Sequence, residues 1–210
     1  QKMLIKDVAK ERTVIDMKKY GVFLEPLRDA PTPEDARLAV RNVKDAGFDT
    51  IFVHSLYRYK SKISPVFPEF KNYDPLDALV KLSEREDIRV VAVLEVNTLG
   101  GAGEDHIFSQ LNKMQENWRD WLIVDNEGQR KDSVHGVVWV CPRNEEHLSW
   151  KADIMKEIVE NYDVDGFWLR DLQYPVDWPV FKSYCFCDEC VWDFSLQGLD
   201  AYEKDEEFLR

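Results

Sequence analysis

Short β-rich runs alternate with amphipathic helical segments along this chain. The runs cover residues 22–25, 50–56, 89–96 and 163–171. The run RVVAVLEV at 89–96 is almost continuously apolar, which is typical of a parallel strand covered on both faces. The order predicts four β/α units of a parallel α/β protein.

Polar caps predict where three helices begin. Thr32, Asp74 and Asn144 each precede a segment with helical periodicity, and Pro33 and Pro75 occupy first helical positions. The apolar faces are predicted from spacing near 3.6 residues. They are Leu38, Val40 and Val43 in the first helix, Leu76, Leu79 and Val80 in the second, and Leu148, Ala152, Met155, Val159 and Tyr162 in the third.

The length predicts a single domain over residues 1–210 that contains only the first four or so units of a (β/α) TIM-type barrel. A closed barrel of this type needs about 250 residues, whereas this chain has 210. A long insertion is expected at 98–143, after the third strand, and a Cys-rich loop with a C-terminal helical segment at 176–210. Two further helices are expected at 4–18 and 105–117.

The net charge of −12 lies mostly in residues 106–210, which carry 22 acidic and 11 basic side chains. An acidic surface repels phosphate groups, so nucleic acid and anionic membranes are not expected as partners. No apolar run approaches the roughly 18 residues of a membrane span. The composition predicts a soluble protein, either cytoplasmic or secreted with a removed signal.

All four cysteines lie in the second half of the chain, as Cys141 and the cluster Cys185, Cys187 and Cys190. Three sulfurs within six residues suit one shared metal ion better than bridges to distant partners. The pattern predicts a structural zinc site with four thiolate ligands. Disulfide bonds, or simply buried cysteines, remain the alternative.

Two stretches of the chain resemble known glycosidase families. VCPRNEEHLSWKADIMKEIVENY followed by CFCDEC resembles the family 42 β-galactosidases, including the interval of 44 residues from Cys141 to Cys185. AGFDTIFVHSLYR, YDPLDALVKLSEREDIRVVAVLEVN and YDVDGFWLRDLQYP, within residues 20–175, resemble the family-10-like putative glycosyl hydrolases. The resemblance implies a TIM barrel whose sugar cleft lies at the carboxyl ends of the strands.

One departure from the second family concerns its acidic motif, which places two acids at the end of the fourth strand. This chain has Arg170 and then Asp171. We expect Asp171 to be catalytic, as acid/base or nucleophile, unless it only forms a salt bridge with Arg170 or caps the loop. Arg170 would depress the pKa of Asp171 and so favour a charged nucleophile over a neutral acid. The second carboxylate of such enzymes comes from a later strand, which this sequence does not contain. The expected substrate-binding residues are Glu25, His54, Glu95, Trp168, Arg170 and Tyr174.

Three functional hypotheses follow from these features. The first is a glycoside hydrolase-like protein that hydrolyses or recognises a poly- or oligosaccharide. The second is a non-catalytic carbohydrate-binding or degenerate barrel, which the substitution at Arg170 favours. The third is a half-barrel completed by a second copy, because open sheet edges and an exposed apolar face favour self-association. The identity of the sugar and the stereochemical outcome are not predicted.

Overall fold

The structure is a computed structural model that describes residues 20–54, 70, 72–101, 117–131, 133–175 and 185–198. The predicted helix at 4–18, and all but the last residue of the one at 105–117, lie outside the described residues. The described strands are β1 (Gly21–Leu24), β2 (Thr50–His54), β3 (Arg89–Glu95), β4 (Thr98–Gly101), β5 (Val137–Trp139) and β6 (Gly166–Arg170). The described α-helices are α1 (Pro26–Asp29), α2 (Pro33–Asp45), α3 (Pro75–Glu84), α4 (Glu145–Asn161) and α5 (Asp188–Ser195).

Four parallel strands form the main sheet in the order β1-β2-β3-β6. Helices α2, α3 and α4 connect or follow these strands, so the predicted β/α order is confirmed. The helices start where the caps predict. The side chains of Thr32, Asp74 and Asn144 accept hydrogen bonds from the backbone N–H groups of Asp35, Asp77 and His147 at 3.2, 3.1 and 2.8 Å.

The two faces of this sheet differ in burial. Alternate residues of β2 and β3 are almost fully buried and share one apolar core with the helices, whose members include Val40, Leu76, Leu79, Ile154 and Ile158. These strand residues are Ile51, Val53, Val90, Ala92 and Leu94. On the opposite face Phe23 and Phe52 are half-buried, and Trp168 is 44% exposed. Helices therefore cover one side of the sheet, and the other side presents aromatic rings that remain partly open.

The buried face of α4 differs from the predicted one. Leu148 and Val159 are 40% and 63% exposed, whereas the buried positions are His147, Trp150, Lys151, Ile154 and Ile158. Leu38 of α2 is exposed as well. Apolar spacing selects the wrong stripe of α4 because the true stripe contains a histidine and a lysine, which the hydrophobic pattern treats as solvent-facing.

The insertion after β3 returns to the carboxyl end of the main sheet. Strands β4 and β5 pair antiparallel, and a short 3-10 helix at Trp118–Trp121 precedes a bridge between Leu122 and Val140. The backbone N–H of Val140 donates to the carbonyl of Asn97 at 2.9 Å. This small sheet thus lies beside the strand ends that carry the expected site. No helix among the described residues is both long and apolar enough to cross a membrane.

Candidate active site and metal site

Polar side chains converge where β2, β3 and β6 end. His54, Glu95 and Arg170 are the last residues of these three strands, and Asp171 follows directly. Glu95 and Arg170 are register partners in the sheet. Because the carboxyl ends of parallel strands meet at one edge, four of the residues predicted from the sequence lie together here.

Glu95 lies at the centre of this group. Its Oε1 is 3.4 Å from Nε2 of His54 and 4.0 Å from Nη1 of Arg170, and its Oε2 accepts a hydrogen bond from Oγ1 of Thr98 at 3.4 Å. Burial alone would raise the pKa of Glu95. The hydrogen bond and charge of His54, with the charges of Arg170 and Lys151, instead lower this pKa below its ordinary value. The carboxylate is therefore held in its charged form.

Asp171 is joined to Glu95 through one hydroxyl. Oγ1 of Thr98 lies 3.4 Å from Oδ2 of Asp171, the same distance that it has from Glu95. The carbonyl of Asp171 accepts from the N–H of Asn97 at 3.3 Å, and its φ of 55° lies in the left-handed region. The strand-end loop is thus fixed by the segment that follows β3.

Arg170 has a different partner from the predicted one. The sequence predicts that its guanidinium acts on Asp171, whereas the structure pairs it with Glu95. The guanidinium also lies 5.7 Å from the ring centroids of both Phe23 and Trp168. These rings lie on the partly open face of the sheet, and Trp168 contacts Phe52 edge-on at 5.2 Å. The face therefore combines aromatic surface with a charged edge.

Lys151 is a member of this group that sequence reasoning missed. It lies on α4, is 3% exposed, and donates from Nζ to the carbonyl of Thr98 at 3.1 Å. Burial lowers the pKa of Lys151 to about 8, although the charges of Glu95 and Asp171 act in the opposite direction. Its position in the stripe with Trp150 and Ile154 is the signal that could have revealed it.

Two further predicted substrate contacts make other hydrogen bonds. Glu25 follows β1, and its backbone N–H donates to Oδ2 of Asp29 at 2.8 Å. Its Oε1 is buried and has no hydrogen-bond partner in the described part of the chain. The hydroxyl of Tyr174 lies 3.5 Å from Sγ of Cys190, so this side chain belongs with the cysteines. Burial and this contact raise the pKa of Tyr174.

The four cysteines meet as the sequence predicts. Their sulfur atoms all lie within 4.8 Å of one another, and none is in a disulfide bond. Sγ of Cys141 is 3.6 Å from that of Cys187 and 3.5 Å from that of Cys190. Cys141 follows β5, Cys187 precedes α5 and Cys190 lies in its first turn. The cluster therefore joins the insertion to the segment that follows β6.

Backbone donors support negative charge on these sulfurs. The N–H groups of Val124 and Arg143 point to Sγ of Cys185 and of Cys141, each at 3.4 Å. Hydrogen bonds from Cys141 and Cys190 lower the pKa of Cys185, and the contacts of Cys141 with Cys185 and Cys190 raise the pKa of Cys141. Without a cation, only one of these neighbouring thiols readily becomes a thiolate. A cation bound between the sulfurs would stabilise negative charge on all of them. The arrangement can hold a metal ion.

No protein-family model matches the sequence, and no curated protein matches it significantly. Among solved structures, a hypothetical protein from Ruminiclostridium thermocellum ATCC 27405 is 17% identical, with a TM-score of 0.52 over 73% of this chain and 77% of that chain. An Anoxybacillus alpha-amylase is 16% identical, with a TM-score of 0.50 over 72% of this chain and 40% of its own. This chain thus spans about two fifths of that amylase. At this identity the likeness concerns the fold, and it agrees with a TIM-type (β/α) barrel, of which the described sheet forms four strands.

Proposed function

We propose that this protein is glycoside hydrolase-like, acts on a poly- or oligosaccharide, and uses Asp171 as a catalytic carboxyl group. The observation that carries the proposal is the meeting of Asp171 with His54, Glu95 and Arg170 at the carboxyl ends of parallel strands. TIM-barrel enzymes place their active sites at this edge. Two similarities support a glycoside hydrolase-like function. One is to the alpha-amylase among the structures of similar fold, and the other is the resemblance to the family-10-like glycosyl hydrolases.

The chemistry adds water across a glycosidic bond. Such enzymes need one carboxyl group to protonate the leaving oxygen and a second carboxylate on the other side of the sugar. Asp171 supplies one of the two. The ring of Trp168 is partly exposed beside the cluster, where a sugar face can stack on it. His54 and Arg170 can hydrogen-bond sugar hydroxyls at the same edge.

The test is hydrolysis of a panel of aryl glycosides and oligosaccharides by the full chain. Asp171→Asn should lower kcat/KM about 100- to 10,000-fold, the usual contribution of a general acid or base. Asp163→Asn is the matched control, because Asp163 is exposed and lies before β6. Activity that survives Asp171→Asn at the level of this control would remove Asp171 from the mechanism.

A non-catalytic carbohydrate-binding barrel is the second candidate. Arg170 favours it, because it occupies a position where the resembled motif has an acid, and it already pairs with Glu95. Titration calorimetry with oligosaccharides separates the two candidates. Binding heat without any turnover supports the binding protein, whereas release of free sugar supports the hydrolase.

We propose further that Cys141, Cys185, Cys187 and Cys190 hold a structural zinc ion. Tetrahedral thiolate sites with Zn–S bonds of about 2.3 Å keep their sulfurs about 3.8 Å apart. The contacts of 3.5 and 3.6 Å here are close to that separation. Four sulfur ligands leave no open position, so bound zinc would stabilise and would not take part in the reaction. The motif's resemblance to the family 42 β-galactosidases supports this assignment.

Metal analysis of the purified protein tests the zinc assignment. We expect about one zinc per chain, together with protection of the four thiols from a thiol reagent until a chelator is added. A metal content near zero, with all four thiols reacting freely, would refute it.

A further inference from the structure

We propose that Glu95 is the second carboxylate of the site and works together with Asp171. This inference rests on the proposed hydrolase function. The sequence predicts Glu95 only as a substrate contact and assigns the second acid to a later strand. The contacts of Glu95 in the described structure give it the place, charge and access that the second acid needs.

The distance between the carboxylates of Glu95 and Asp171 supports this proposal. Oε2 of Glu95 and Oδ2 of Asp171 each lie 3.4 Å from Oγ1 of Thr98. The two carboxylate oxygens are therefore at most twice that distance, 6.8 Å, apart. Retaining glycosidases keep their carboxyl groups about 5–5.5 Å apart, and inverting ones about 6.5–9.5 Å. The retaining separation lies within this bound, as does the bottom of the inverting range, so the geometry permits retention.

The charge on Glu95 also supports the proposal. His54 and Arg170 lie against one oxygen of Glu95 at 3.4 and 4.0 Å, and the buried ammonium of Lys151 acts on the same carboxylate. A nucleophile must be ionised when the substrate arrives. The three basic side chains keep Glu95 in that state, whereas ordinary burial would favour the neutral acid.

Glu95 is also accessible to a substrate. The side chain of Glu95 is 19% exposed, so it is neither sealed in the core nor fully solvated. Trp168 has the most exposed ring on this face of the sheet. It is the register partner of Val93 and lies two residues before Arg170. A sugar stacked on this ring would lie beside the end of β3.

The reaction then has two displacements. An oxygen of Glu95 bonds to the anomeric carbon as the glycosidic C–O bond breaks, and Asp171 gives its proton to the leaving oxygen. Water next attacks the same carbon and gives a proton back to Asp171. The ester bond to Glu95 breaks with its electron pair returning to the carboxylate, which restores both groups.

Lys151 serves as a positioning residue in this scheme. It does not reach the sugar, because it is buried beneath the strand ends. Its Nζ donates to the carbonyl of Thr98, whose hydroxyl bridges the two acids, and its charge acts on both of them. The groups that face it are therefore Glu95 from β3, Thr98 from β4 and Asp171 after β6.

The experiment measures kcat/KM of the full chain and four variants on the best aryl glycoside. Glu95→Gln should lose at least about 100-fold. Glu95→Asp keeps the charge and should still lose at least about 10-fold, because it withdraws the carboxylate from the substrate. Asp171→Asn should fall as well. Glu160→Gln, on the exposed side of α4, is the control and should stay within twofold.

The result separates this inference from the proposed function. Glycosides that no form of the protein cleaves would overturn both. Loss of activity in Asp171→Asn with Glu95→Gln at the level of the control would overturn only the role of Glu95. Glu95→Ala supplied with azide should release a glycosyl azide of inverted anomeric configuration. An active wild-type enzyme whose Glu95→Ala form yields no such product would also refute Glu95 as the nucleophile.

Lys151→Met adds a readout that does not depend on turnover. Carbon-detected NMR titration should show the pKa of Glu95 rising in this variant, because one neighbouring positive charge is gone. In an active enzyme the acidic limb of the pH profile should move upward by the same amount. A titration of Glu95 that is identical in both proteins would show that Lys151 only fills space.

Discussion

The contribution of Lys151 to the stability of this protein should become more favourable as the pH rises from 7 to 10. Burial lowers the pKa of this lysine to about 8 from an ordinary 10.5. Between these two values the unfolded chain holds the proton more tightly than the folded chain does. Folding therefore carries a penalty at neutral pH that disappears as the lysine loses its proton.

The magnitude follows from the shift. One pKa unit corresponds to about 1.4 kcal/mol, so the charged lysine costs the fold about 3 kcal/mol at pH 7. The folded lysine is mostly neutral at pH 10, and the unfolded one is only partly so. The gain in the free energy of unfolding between pH 7 and pH 10 is then about 2.5 kcal/mol from this residue alone.

The assay is urea unfolding of the wild type and of Lys151→Met at both pH values. Methionine has a similar volume and no charge, and the lost hydrogen bond to the carbonyl of Thr98 changes stability equally at each pH. The difference between the two proteins should therefore shift by about 2.5 kcal/mol in favour of the wild type at pH 10. Equal pH dependence in the two proteins would refute the reasoning, because other titrating groups cancel in the comparison.

Four further predictions concern other parts of the molecule. Ile154→Ala should destabilise the fold by about 2–5 kcal/mol, since Ile154 is fully buried in the main core; a loss below about 1 kcal/mol in urea unfolding would contradict the packing described. Tyr162→Phe should cost about 1–3 kcal/mol by removing the hydrogen bond of 2.6 Å to Oδ2 of Asp74, and an unchanged melting temperature would argue against that bond. Cys187→Ser should lower the zinc content and the melting temperature, and zinc binding equal to that of the wild type would count against a four-sulfur site. Self-association remains a prediction for the half-barrel, to be checked by sedimentation, where a sharp monomer at all concentrations would oppose it.

Local signals predict the elements of this fold well. Thr32, Asp74 and Asn144 cap helices because each needs only its own side chain and a backbone N–H three residues later. The strands follow from runs of β-branched residues that a parallel sheet buries. The metal cluster also follows from the sequence, because three of its four sulfurs lie within six residues of one another.

Contacts between distant segments are what the sequence does not reveal. The face of α4 that contains His147 and Lys151 is buried because the insertion at 98–143 folds back against it. Trp121 of that insertion stacks near His147 at 5.3 Å, and the carbonyl of Thr98 accepts from Lys151. Hydrophobic periodicity carries no information about such partners, so it favours Leu148 and Val159 for the core.

The candidate active site shows the same difference between features that the sequence predicts and features that it does not. Strand ends can be predicted, and so can the meeting of His54, Glu95, Arg170 and Asp171 at one edge. Which charges pair depends on side-chain directions across the sheet. Glu95 is the register partner of Arg170, whereas Asp171 follows the strand in left-handed backbone. Register partners on neighbouring strands point to the same face, so Arg170 meets the cross-strand carboxylate.

The left-handed backbone at Asp171 limits what can replace this residue during sequence drift. Glycine, asparagine and aspartate enter that region at little cost, whereas valine, isoleucine and threonine are strained there. A random library at this position should therefore be most stable with those three small residues, whether or not the protein is selected for activity. Loss of the carboxyl group would then leave asparagine or glycine as the lasting trace in relatives that no longer need it.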